Sequence, residues 1–203
     1  MQSVILWDRR FNERTMVIIS EYDVIATGNS EYFCRSYETP ACPCCSGDLI
    51  YRDRRRRIMR TFGGKASYIQ LRRLRCLACR RLHLELPDCL VPQKHYALEV
   101  VEDVLDGAST PEDESTENYP CEQTMCRWQF WLAFNASQID GWLKSVGQRV
   151  FELGDSLLSS TESLVEKLRA NGAGWLAVCT RAVYNSGGAF LSKPPSGFCT
   201  CFV

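Results

Sequence analysis

Histidine is nearly missing from this sequence: there are two in 203 residues, His83 and His95. Neither G-x-S-x-G nor H-E-x-x-H occurs, so a serine hydrolase or a zinc protease is not expected, and the chain reads as non-enzymatic. Net charge is missing as well, since Lys plus Arg and Asp plus Glu both total 24, which excludes a whole-chain attraction to any charged partner. No apolar run approaches twenty residues, and even "GWLAVCTRAVYNSGGAFL" carries Arg181, so no membrane helix is predicted. The opening "MQSVILWDRRFNERTM" places its first arginines after a short apolar run and lacks the pattern of a secretory signal. At the other end "CTCFV" sets Cys201 third from the terminus, which is wrong for prenylation. A reducing cytoplasm is the expectation, and there clustered thiols are metal ligands more often than bridges.

What is abundant is cysteine, twelve in all, and locally arginine. "CPCCSGDLIYRDRRRR", residues 42 to 57, sets three cysteines in four positions ahead of five arginines in six. Two pairs share one spacing, Cys42 with Cys45 and Cys76 with Cys79. Two intervening residues let a tight turn aim both thiolates at one tetrahedral ion, and two such turns complete a four-sulfur structural zinc site. Four thiolates leave no open position, so catalytic zinc is not expected. Pro43 presets the first turn, and Gly47 is expected to supply the left-handed conformation after it. The thirty residues between the pairs carry "GG" near their middle, as two strands joined by a glycine turn would, which is the architecture of a zinc ribbon. Cys44 reads as a small buried side chain, or as part of a larger cluster with Cys34 or Cys89. His83 reads as a packing histidine, with an alternative ligand or a donor to the site as the other possibility.

Neutrality of the whole is a cancellation between segments. From Tyr51 to His83 twelve basic residues face one acid, Asp53; from Leu84 to Cys126 eleven acids face Lys94 alone. A ribbon held by metal needs little core, and its strands are free to carry Arg52, Arg54, Arg55, Arg56, Arg57, Arg60, Arg72, Arg73 and Arg75 as phosphate contacts. Tyr51, Phe62 and Tyr68 stand among them as surfaces for stacking. The alternative is a basic face that docks on the acidic segment.

The rest of the chain gives an α+β expectation with four parts. Residues 1–41 hold three short strand-like runs, "SVILW", "TMVIIS" and "YDVIATG". Residues 42–90 form the ribbon. Residues 91–136 carry "HYALEVVEDVLDG", a helix ending at Gly107, then an acidic linker and a mostly buried helix in "CEQTMCRWQFWLAFN". Residues 137–203 place Ile139, Leu143, Val146, Val150, Leu153, Leu157 and Leu164 on a heptad seam. A long helix over 137–168 is predicted from that seam, packing on its own domain or on a second copy or partner protein. "NGAG" at 171–174 should end it, "WLAVCTRAVYN" should form a short helix, and "SKPPSGFCTCFV" an irregular tail.

The segments "CPCCSGDLIYRDRRRR", "IQLRRLRCLACRRLHLELPDCLVPQKHY" and "CEQTMCRWQFW" resemble an uncharacterised bacterial family with a zinc-ribbon-like start and a helix-turn-helix. The same order is similar to the N-terminal, DNA-binding parts of insertion-sequence transposases. The likeness covers about residues 40–135 and implies Cys42, Cys45, Cys76 and Cys79 as ligands, with "ELPD" as the exit from the ribbon. It also implies a recognition helix starting near Cys121, with Gln123, Thr124 and Arg127 facing the groove of DNA. Transposase catalysis is not implied, because it needs three carboxylates around paired metals in a ribonuclease-like sheet, and the region after Phe134 reads as helix. The expectation is a zinc-binding DNA-binding protein, a regulator or a mobile-element accessory. A zinc-stapled protein-interaction adaptor and a transposase remnant are the alternatives.

Overall fold

The computed structural model describes residues 15–28, 30–113, 120–151 and 161–187. The run "SVILW" and the tail "SKPPSGFCTCFV" lie outside them. Six strands form one sheet: β1 (Thr15–Ile19), β2 (Tyr22–Gly28), β3 (Glu31–Ser36), β4 (Leu49–Arg60), β5 (Ala66–Cys76) and β6 (Leu82–Pro87). β4 and β5 pair antiparallel from Leu49 opposite Cys76 to Arg60 opposite Ala66. Gly63 and Gly64, at φ +71° and +70°, make the reversal between them that the "GG" pair predicts.

β5 is the hub of the sheet. Its second edge is divided, with β3 parallel along Tyr68–Gln70 and β6 antiparallel along Arg73–Arg75. β2 extends the sheet beyond β3, and β1 lies parallel beyond β6. Strands from before and after the first cysteine pair therefore share one sheet. Along β5, buried Ser67, Ile69 and Leu71 alternate with half-buried Tyr68, Gln70 and Arg72, as period-2 side chains must when one face is covered and the other, among the described residues, is not. The covered face packs Ile69 and Leu71 with Ile19, Cys34, Leu86 and Leu90.

Among the described residues four α-helices follow: α1 (Leu98–Leu105), α2 (Glu122–Phe151), α3 (Leu164–Ala170) and α4 (Trp175–Asn185). Their apolar stripes meet in a core of Val100, Val104, Met125, Trp128, Ile139 and Trp175, among others, which takes in Ile18 from β1. α1 stops where expected, with Gly107 at φ +73°. Residues 106–121 lie between α1 and α2, and among the described residues no three- or four-residue turn of the helix-turn-helix kind joins the two helices. The helix read after Pro120 and the start of the heptad region are one continuous thirty-residue α2.

The seam over 137–168 does not run as one helix. Ser163 is extended, and its Oγ accepts the Glu166 N–H as an N-cap, which starts α3 afresh. Ile139 and Leu143 are buried in the chain's own core and Leu164 packs against it, so these seam positions pack inward. Leu153 and Leu157 lie outside the described residues.

Carboxylates from one helix cap the next. The nearly buried Glu102 of α1 accepts from Gly174 N–H at 3.0 Å and Leu176 N–H at 3.2 Å, at the start of α4. Asp140 of α2 accepts from Leu164 N–H and Val165 N–H at 2.7 and 3.0 Å, at the start of α3. At the sheet's edge the Asn185 side chain donates to Ile18 O and accepts from Ile18 N–H, both at 2.8 Å, and so pairs β1 as a neighbouring strand would.

Candidate metal centre

The two cysteine turns repeat one hydrogen-bond pattern. Cys42 N–H donates to Gly47 O and Ser46 N–H to Cys42 O; Cys76 N–H donates to Arg81 O and Arg80 N–H to Cys76 O. The residue after each second cysteine is left-handed, Ser46 at φ +57° and Arg80 at φ +63°. The left-handed position expected at Gly47 thus belongs to Ser46. Gly47 is needed for closeness instead: a Cβ there would stand 3.0 Å from Ala78 Cβ and 3.3 Å from Cys76 Sγ. The β4–β5 hairpin carries the second turn back to the first, and Leu77 N–H donates to Asp48 O to tie them together.

Cys42, Cys45, Cys76 and Cys79 bring their sulfurs within 4.8 Å of one another. Cys42 and Cys79 lie 3.7 Å apart, Cys45 and Cys76 3.5 Å. Four thiolates at the usual 2.3 Å from one tetrahedral ion stand about 3.8 Å apart, so the spacing fits a shared metal; a disulfide needs about 2.0 Å. The Cys79 N–H donates to Cys76 Sγ and pulls that thiol down to about 6, which favours the ligating thiolate. Burial pushes the Cys42 and Cys79 thiols up.

His83 is fully buried behind this cluster, with Nε2 at 3.3 Å from Cys42 Sγ, and burial, then Arg81, lowers its pKa. Its Nδ1 has no hydrogen-bond partner. A neutral ring that donates Nε2–H to the Cys42 sulfur and leaves Nδ1 as a bare lone pair suits these contacts. Cys44 also lies within 4.8 Å of the Cys42 and His83 ligand atoms, and its sulfur accepts from Arg81 at 3.3 Å. Cys34 and Cys89 are elsewhere, packed in the core beneath the sheet. The spacing of "CRRLH" made His83 a candidate for the site. Its burial was not legible, because it arises from strand β6 lying opposite Leu74.

The arginines divide by face. Register places Arg54 and Arg56 with Arg72, Gln70 and Tyr68 on the uncovered face, where Arg54 stacks on Phe33 at 4.4 Å and Arg56 on Tyr68 at 3.5 Å. Arg56 also meets Glu31 at 2.8 Å. Arg57 points the other way and donates to the Val91 and Lys94 carbonyls, with burial pushing its pKa down to about 10. Arg72 and Arg73 form two-toothed pairs with Glu85 and Asp53, each bond 2.5 Å long. Arg55 is exposed on the covered-face side, and Arg60 reaches Gly64 O at 3.4 Å. Arg52 and Arg75 face a groove at the cysteine end of the hairpin. Gln123 and Arg127 are exposed and Thr124 half-exposed in the first turns of α2, well along the chain from the arginine strands.

Residues 42–128 match the family model described as a domain of unknown function (DUF6431). Comparison with curated proteins and with solved structures returns no match. The matched span opens on Cys42 and holds all four clustered thiols, the arginine hairpin and the start of α2; β1–β3, α3 and α4 fall outside it. Among the described residues no helix is long and apolar enough to cross a membrane.

Proposed function

We propose that the protein is a non-enzymatic, zinc-stapled DNA-binding protein of the cytoplasm, in which the metal holds the hairpin and the hairpin holds the DNA. The observation that carries this reading is the pair of guanidinium groups lying over the rings of Phe33 and Tyr68 on the sheet face opposite the core. A ring beneath each cation holds it in place, and a guanidinium has five N–H donors, so Arg56 can meet a phosphate beside its contact with Glu31. Zinc suits four sulfurs with no open position, and it gives the chain rigidity where its core is thin.

Among the described residues, the acidic segment meets that face only through Glu85, which pairs with Arg72. Of its described members, Glu102 and Asp106 serve α4, Arg169 and Trp175, and Asp88 accepts from Tyr22; Glu85 alone pairs with an arginine of the hairpin. Gln123, Thr124 and Arg127 are then candidates for base contacts, and the phosphates carry the affinity. A regulatory or mobile-element role rests on the resemblance of the cysteine and arginine segments alone.

The test joins metal analysis to a DNA-binding assay. We expect one zinc per chain, and duplex binding that falls by orders of magnitude between low and moderate salt. Arg54→Ala with Arg56→Ala should weaken binding to all sequences alike while zinc content is unchanged. Zinc retained with no DNA bound even at low salt would favour the adaptor reading instead.

A further inference from the structure

Beside the metal centre, on the side that the stacked arginines do not occupy, lies an open groove of about 290 Å³ lined by Arg52, Arg75, Arg80 and Leu82. Its three arginines come from three segments: Arg52 at the irregularity in β4, Arg75 near the end of β5, and Arg80 in the second cysteine turn. Among the described residues no carboxylate lies within ion-pair distance of Arg75 or Arg80. Arg52 approaches Asp53 at 3.8 Å, but that carboxylate already accepts both bonds of Arg73. Neighbouring like charges that share a single carboxylate, itself held by Arg73, raise each other's electrostatic energy, and an anion relieves it.

A second observation concerns Arg80 itself. It sits at φ +63°, in the left-handed region that residues other than glycine, asparagine and aspartate seldom occupy. The equivalent place in the first turn is held by the smaller Ser46. The turn that positions Cys79 also fixes the backbone of Arg80, whose side chain lines the groove.

We propose that this groove is a phosphate-binding site, and that its ligand is a backbone phosphate of the bound nucleic acid. The second clause rests on the reading above; the first does not. Phosphate fits because its oxygens accept from several guanidinium groups at once, which a carboxylate does less completely.

The experiment uses the full chain loaded with metal. Inorganic pyrophosphate is titrated calorimetrically into the wild type and into Arg75→Ala/Arg80→Ala, with Lys65→Ala as a control for lost charge and metal content as the check on folding. Duplex DNA affinity is measured for the same proteins at several salt concentrations. We expect pyrophosphate binding that the double variant loses at least tenfold and the control keeps, and a salt slope for DNA smaller by about 1–2 in the double variant. Pyrophosphate binding by the wild type that the double variant lacks upholds the groove even if no DNA binds, and then only the nucleic-acid source is wrong. No pyrophosphate binding, or equal losses in the control, overturns the site whatever DNA does.

Discussion

Ser46 and Arg80 perform one task in two places, bending the backbone so that the preceding cysteine points inward, and Gly47 lets the two bends meet. Gly47→Ala places a Cβ 3.0 Å from Ala78 Cβ, with the sulfur of Cys76 close behind. The turns must separate, and the metal should be held about tenfold less tightly, or roughly 1.4 kcal/mol; competition against a coloured chelator measures it. His83→Ala removes the donor to the Cys42 sulfur and should speed metal release by about 10–100-fold while the metal stoichiometry stays at one per chain. If His83 were itself a ligand, that stoichiometry would fall instead. At this scale the sequence was readable where spacing alone sets chemistry, as in the two cysteine pairs. It misled where geometry depends on a neighbour, as at Gly47, whose small size matters only because Ala78 returns beside it.

Among the elements, the short helices depend on their donors' partners more than on propensity. α4 opens with Gly174 and no side-chain cap of its own, and Glu102 reaches across from α1 to accept its first N–H groups. Glu102→Ala leaves those N–H groups buried without an acceptor and should cost about 1–3 kcal/mol, read as a lower urea midpoint with metal content unchanged; Glu102→Gln keeps an acceptor and should cost less. The "GG" hairpin, the stop at Gly107 and the helix in "WLAVCTRAVYN" were legible because each follows from local rules. The end of the seam had a local signal too: Ser163 followed three residues later by Glu166 is a capping signature that interrupts any continuous helix. The division of β5's second edge between β3 and β6 had none, since pairing partners distant in sequence are chosen by the assembled sheet.

For the whole molecule, stability has two sources that share one sheet. The helical core, with Trp128, Trp131 and Trp175, holds none of the four clustered cysteines, whereas the cysteine end of the hairpin rests on the thiol cluster, Leu74 and His83. Chelation should therefore leave the helical circular dichroism largely intact and raise amide exchange at residues 42–49 and 74–83. Equal protection there with and without metal would contradict a structural role for the ion. The arginine face shows the same mix of the readable and the hidden. Its charge was plain in the sequence, but which guanidinium groups stay available depends on register, which turns Arg57 inward and ties Arg72 and Arg73 to acids.

The parallel pairing of β1 with β6 also sets an order on synthesis. Val17, Ile18 and Ile19 leave the ribosome long before Leu84–Pro87 and Asn185 exist to receive them. At about 5–20 residues per second, this most apolar strand waits several seconds for its β6 partner and longer for the amide that closes its outer edge. A nascent chain is thus most open to strand-to-strand clumping during that interval, and coexpressed chaperones should raise its yield more than any change to the finished surface.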